Sequence, residues 1–206
     1  MIKSIAGKMP KIDSSAFIAE NATIIGDVEI GVNASVWQGA ILSGDTNFIQ
    51  IGAESNIQEG CVIHGERDPI GRTKGASIIG NRVTVGYGAI VSSSSIEDDC
   101  LIGMGAIIFS GVKIGKGSLV AAGALVRENC EIEEDCLIGM GAIILSGVKI
   151  GKGSLVAAGS LVQENKEFPP RSMIAGSPAV LKKTLSAKEA FNLRKITLSH
   201  IEGNNK

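Results

Sequence analysis

Two histidines, four cysteines and scattered carboxylates hold most of the reactive side-chain chemistry in this chain of 206 residues. His64 is the foremost of them. An imidazole titrates near neutral pH, so it can act as a general base toward a hydroxyl or amine, or bind a metal through a ring nitrogen. The chain repeats with a period of six, and the period fixes what stands beside His64. His64 follows Ile63 and Ser92 follows Val91, each at the second place of its hexad and one turn of the repeat apart. Their side chains are therefore expected about 5 Å apart, the spacing of paired strands. Two imidazoles at that spacing could share a metal with bonds of about 2.0–2.1 Å. One imidazole beside a serine hydroxyl makes a poor zinc site, because catalytic zinc usually takes three protein ligands. Left without a ligand, His64 is expected to hydrogen-bond to Gln58 or Asp45. His200, in the tail, does not complete a set.

The cysteines point elsewhere. Cys61, Cys100, Cys130 and Cys136 all fall at the fifth place of a hexad, an inward position, where cysteine behaves as a small hydrophobe. No CxxC is present. The stretch Gly111–Ser118, GVKIGKGS, has the look of a phosphate-binding loop, but it is one residue short and carries Gly117 where Ser or Thr is required. It also recurs in register with the repeat, so it is structural.

The period that positions these residues is clearest where the chain repeats itself. Residues 96–131 and 132–167 are two copies of one 36-residue stretch, differing only at Asp98/Glu134, Phe109/Leu145, Ala124/Ser160, Arg127/Gln163 and Cys130/Lys166. Within each copy an aliphatic residue returns every sixth position, from Ile96 to Val126 and from Ile132 to Val162. A short fixed period marks a stacked solenoid. Neither helical spacing nor strict alternation fits it; a short strand, a corner and a small inward residue do. Earlier hexads start at Ile12, Ile18, Ile24, Ile30, Val36 and Leu42, then Ile51, Ile57 and Ile63, then Ile79, Val85 and Val91. The count gives 24 hexads, or eight triangular coils of three. A bulge at Asn47–Gln50 and a polar loop at Gly65–Ser77 interrupt it. The expected organisation is an all-β parallel solenoid over 1–166, then an exit segment and C-terminal helix over 167–206. Ser186 with Glu189 forms a capping-box signature ahead of a helix over Ala187–Ile201. A net charge of −1 argues against nucleic acid and anionic membranes as partners. No apolar run reaches membrane-span length and the N-terminus lacks a signal-peptide pattern, so the expected location is cytoplasmic.

The hexads resemble the left-handed parallel β-helix of hexapeptide-repeat proteins, and the left hand is implied by that resemblance. Val36–His64, VWQGAILSGDTNFIQIGAESNIQEGCVIH, narrows it: Trp37, Gly44, Asp45, Asn56, Gln58 and His64 are similar to the W…RGD…NIQD…H pattern of the γ-class carbonic-anhydrase branch. VTVGYGAI at Val83–Ile90 and AGSPA at Ala175–Ala179 extend the likeness over nearly the whole chain. That family implies a trimer in which three histidines hold zinc between adjacent subunits, and the bound hydroxide attacks CO₂. Here His64 is kept while Tyr87 and Ser92 occupy the other two ligand positions, and Ser43 stands in place of the arginine. The resemblance thus implies a homotrimer with a degraded zinc site and no CO₂ hydration, acting as a scaffold or binding protein with room for a small molecule between subunits. No cofactor is expected, save zinc or another divalent metal at low occupancy through Asp45, Glu66 or Asp68. Hexapeptide acyltransferases share the fold and imply an alternative, an acyl-coenzyme A-dependent acyltransferase or thioesterase with His64 as general base; the γ-class resemblance implies another, a weak metal-dependent carbonic anhydrase. In the acyltransferase, Arg67, Arg72, Lys74, Lys182 and Lys183 would face phosphates.

Overall fold

A computed structural model describes residues 1–67 and 75–204, with side chains as far as Ser199. Aliphatic first-position residues all turn inward: Ile24, Leu42, Ile63, Ile79, Ile102, Ile114, Val126, Ile138 and Val156 have no exposed surface. Burying each such side chain is worth about 1.5–3 kcal/mol, and in a core this narrow only short aliphatic residues fit. The strands pair parallel in three stacks that form the faces of a triangular prism. The first face runs up from Lys11–Ile12 through Glu29–Ile30, Ser95–Ile96 and Lys149–Ile150 to Glu167–Phe168. The second runs from Phe17–Ile18 to Ser172–Gly176, and the third from Ile2–Lys3 through Val62–His64 to Leu161–Val162. On every face the stack has nine levels, one more than the hexad count predicts. Ile2 pairs with Ile24 below the first expected coil, while Phe168 and Ile174 stand in register above Ile150 and Val156. The stack therefore runs past the expected boundary at 166, because Phe168 and Ile174 fill the first place of two further hexads.

Corners repeat as regularly as strands. The fourth residue of almost every hexad has positive φ, as at Asn33, Asp99, Gly105, Asn129 and Asp135, which is why Gly, Asn and Asp crowd that place. Gly52 has a different reason. It lies against the next coil, and a Cβ there would run into the carbonyl of Gly80. The strand Ile41–Ile51 turns the corner without a break, so the bulge expected at 47–50 is taken up inside a strand.

At the far end the strand Ala179–Thr184 folds back antiparallel on Ser172–Gly176 and pairs the edge of the second face. The helix Ala187–Asn204 follows, opened by the expected capping box: Glu189 N–H donates to Ser186 Oγ at 3.2 Å, and Ser186 N–H donates to Glu189 Oε2 at 2.8 Å. It runs down the outside of the prism instead of covering its end. Leu193 and Thr197 are buried, Arg194 lies 3.7 Å from Asp135, and the helix reaches the strand Leu101–Ile102. Phe191 and Ile196 of the same helix are exposed. Among the described residues no helix is long and apolar enough to cross a membrane.

Candidate functional site

His64 ends the strand Val62–His64 on the third face, at the corner from which the 65–77 loop leaves. Strand register puts Ser43 directly below it and Ser92 directly above. The structure thereby joins His64 and Ser92: Ser92 Oγ and His64 Nε2 are 3.0 Å apart. Ser92 is buried and His64 half-buried. The expected hydrogen bond to Gln58 or Asp45 is not made. Gln58 follows Ile57 on the second face, so it stands at the opposite edge of the third face from His64. Asp45 shares the edge with His64, but it is exposed and accepts a 2.8 Å hydrogen bond from Ser43 Oγ. Tyr87 likewise stands at the far edge, 49% exposed, with no side-chain hydrogen bond among the described residues. Among the described residues, no three His, Cys, Asp or Glu side chains converge.

Glu66 was weighed from the sequence only as a loop carboxylate, and here it comes back to the pair. Its Oε1 is 3.3 Å from Ser92 Oγ and accepts the Ser110 hydroxyl, while Ser110 Oγ lies 3.4 Å from Ser92 Oγ. Its backbone closes the base of the loop: Glu66 N–H donates to Gly75 O at 2.8 Å and to Ser93 Oγ at 2.6 Å. Asn47 Nδ2 donates to Glu66 O at 2.9 Å, and Ser77 Oγ to His64 O at 2.7 Å. The one signal of this cluster in the sequence is the run Ser92–Ser95, where a hexad is a residue short and the chain must compress the corner. Asp68, Arg72 and Lys74 lie outside the described residues, as does the His200 side chain. Of the remaining basic candidates, Arg67 and Lys182 are exposed and Lys183 pairs with Glu189 at 2.6 Å.

The cysteines are free and buried. Each thiol donates to a carbonyl of the next coil, Cys61 to Gly86, Cys100 to Gly115, Cys130 to Leu145 and Cys136 to Gly151, at 3.1 to 3.3 Å. Burial pushes Cys61 up to about 11 and Cys100 and Cys136 up to about 12, so none of these three is a ready thiolate.

Family models match the regular coils: residues 129–163 fit a bacterial transferase hexapeptide (six repeats), and residues 94–127 a hexapeptide repeat of succinyl-transferase. A crystal structure of a hexapeptide transferase family protein from Anaplasma phagocytophilum superposes with a TM-score of 0.53 at 30% identity, covering 98% of this chain and 95% of that one. Gamma carbonic anhydrase 1, mitochondrial, of Arabidopsis thaliana is 40% identical over 128 residues, 62% of this chain and 46% of that protein. The chain belongs to the γ-carbonic-anhydrase-like branch of the hexapeptide transferase superfamily. A carbonic anhydrase of Geobacillus kaustophilus is 40% identical over 118 residues, 57% of this chain and 61% of that one. The match thus spans about half the length of the plant relative. As in other left-handed β-helices of the superfamily, the hexapeptide chain here presents three flat faces, and they differ sharply. Outward residues on the first face alternate in charge, Lys113, Glu131, Lys149 and Glu167. The helix lies along the second face as far as the strand Leu101–Ile102. The third carries an unbroken aliphatic column, Ile41, Val62, Ile90, Ile107, Leu125, Ile143 and Leu161.

Proposed function

We propose that this protein is a trimeric, γ-carbonic-anhydrase-like scaffold that binds a partner or small molecule between subunits and does not hydrate CO₂. The observation that carries the reading is the Ser92 hydroxyl on His64 Nε2, at the position where a second imidazole would be required. Zinc takes imidazole, thiolate or carboxylate ligands, and this donor set of one imidazole, a serine hydroxyl and an exposed phenol does not fit it. Support for the trimer comes from the third face. Its aliphatic column is partly open in a single chain, with Ile41, Ile90 and Ile143 at 37–40% exposure, and a contiguous strip of that kind calls for cover. Tyr87 and His64 stand at opposite edges of that face, so edge-to-edge packing about a threefold axis would bring one subunit's Tyr87 toward another's His64. Four free buried thiols suit a reducing compartment such as the cytoplasm. Purified protein should sediment as three chains, carry far less than one zinc per chain and leave CO₂ hydration at the buffer rate. Tyr87→His with Ser92→His should bring in metal. Stoichiometric zinc in the unmodified protein, lost in His64→Ala, would overturn the reading.

A second reading, acyl transfer from acyl-coenzyme A with His64 as general base, is favoured by an imidazole nitrogen already facing a hydroxyl. Saturable binding of acetyl-coenzyme A, weakened at high salt, is its expected signature.

A further inference from the structure

Serine is a poor nucleophile until a neighbouring base takes its proton. Ser92 has that neighbour, with Oγ 3.0 Å from His64 Nε2, inside the reach for direct proton transfer. The hydroxyl is also oriented from two other sides, by Glu66 Oε1 at 3.3 Å and Ser110 Oγ at 3.4 Å. Glu66 and His64 both touch this one oxygen. Strand register fixes His64 and Ser92 on paired neighbours, and three hydrogen bonds to its backbone hold Glu66 at the loop base. A cleft of about 470 Å³ is lined by Glu66 and Ser110, the two side chains that touch Ser92 Oγ beside His64, together with Arg67, Lys113 and Asn129.

We infer that Ser92 is the nucleophile of an acyl-transfer reaction on small, polar carboxylic esters or thioesters, with His64 as its general base. The inference rests on the acyl-transfer reading of His64 and takes it further, since the first acceptor is the chain itself. Ser92 Oγ bonds to the acyl carbon as its proton passes to Nε2. The ester or thioester bond breaks, and the leaving alcohol or thiol departs with that proton. Water then attacks the serine ester, giving its proton to His64, and the carboxylic acid leaves as Oγ recovers the proton. Glu66 is a positioning residue in this scheme. Arg67 and Lys113 in the lining of the cleft suit an acyl or leaving group that carries negative charge.

The test is p-nitrophenyl acetate with the full-length protein. Expected are a burst of p-nitrophenolate, one acetyl group mapped by mass spectrometry to Ser92, and a loss of about 100-fold or more in Ser92→Ala and His64→Ala. Glu66→Gln should lower kcat with KM unchanged. The acetyl adduct is read on the unmodified chain, so the result does not depend on how the variants fold. Turnover that survives Ser92→Ala but not His64→Ala would overturn the assignment of Ser92 while leaving His64 as a general base. No adduct and no turnover above the buffer rate would overturn both.

Discussion

The two 36-residue copies, alike at all but five positions, are nearly one sequence placed in different company. Their strands have the same lengths, and positive φ recurs at matching corners: Asp99 and Asp135, Gly105 and Gly141, Asn129 and Asn165. What differs is the set of side chains around them, some reaching in from outside and one changed within the copy itself. Asp99 is paired by Arg82 at 2.6 Å and Lys116 at 3.3 Å from the coils around it. Asp135, its counterpart, meets Lys152 at 4.0 Å and Arg194 of the helix at 3.7 Å. Arg127 holds Glu128 at 2.9 Å in the first copy, and Gln163 offers Glu164 no such charge in the second. The backbone of a coil thus follows from its own hexads, while its surface chemistry follows from its neighbours. That division is expected of a solenoid, in which each repeat touches only the next.

The strongest way to break the comparison is to remove one copy. Deleting 132–167 joins Glu131 to Phe168 in phase, and the shortened chain should fold, assemble and melt cooperatively. Deleting 132–164 puts Phe168 three places out of phase, so the last hairpin and helix should lose their docking and the melt its cooperativity. Equal melting curves for the two deletions would mean that hexad phase does not govern this region. The in-phase deletion carries one further expectation: the helix end, which now reaches Leu101–Ile102, would lie over Asn56–Ile57, so its last turns should exchange amide hydrogens faster.

Next in size is a core truncation made in both copies. Ile114 and Ile150 are equivalent and fully buried. Each changed to Ala should cost about 2–5 kcal/mol, and chemical denaturation should find the two costs alike. A smaller effect separates the helix from the coils: Ser186→Ala should remove the cap and cost about 1 kcal/mol. The same cap gives a pH signature. Lys183, with the Ser186 N–H and hydroxyl, holds Glu189 down to about 2. A depressed carboxylate stabilises above its unfolded value, about 4.3, and that contribution fades as pH falls toward 2. Helical circular dichroism should therefore decline across that window before the solenoid melts. The smallest effect is Arg127→Gln, which makes the first copy resemble the second. Glu128, held at about 2 chiefly by Arg127, should move back toward the usual carboxylate range in an NMR titration, with little change in stability because the pair is exposed.

Much of this architecture can be read in the chain itself, since a period of six with an aliphatic residue at its head has few physical solutions. The capping box and the inward cysteines were legible for the same reason: each is a local rule with a fixed spacing. The ninth level was missed because Ile2 lies ahead of the first regular hexad and Phe168 is an aromatic in an aliphatic place. At the site, the spacing of His64 and Ser92 was legible and their company was not. Register puts Ser92 above His64, but Glu66 reaches them only through the path the chain takes as it leaves and rejoins the corner. Gln58 follows the same logic in reverse: six residues before His64, it is carried to another edge of the prism by one whole face.

A 36-residue copy is two complete turns of the screw, so inserting or removing it advances whatever follows without rotating it. The hairpin and helix stand about 9–10 Å farther from His64 than a single copy would leave them, yet they face the same way. The duplicated stretch therefore behaves as a spacer cut to whole-thread lengths. It can change how far apart two functional ends stand while preserving the direction in which each one points.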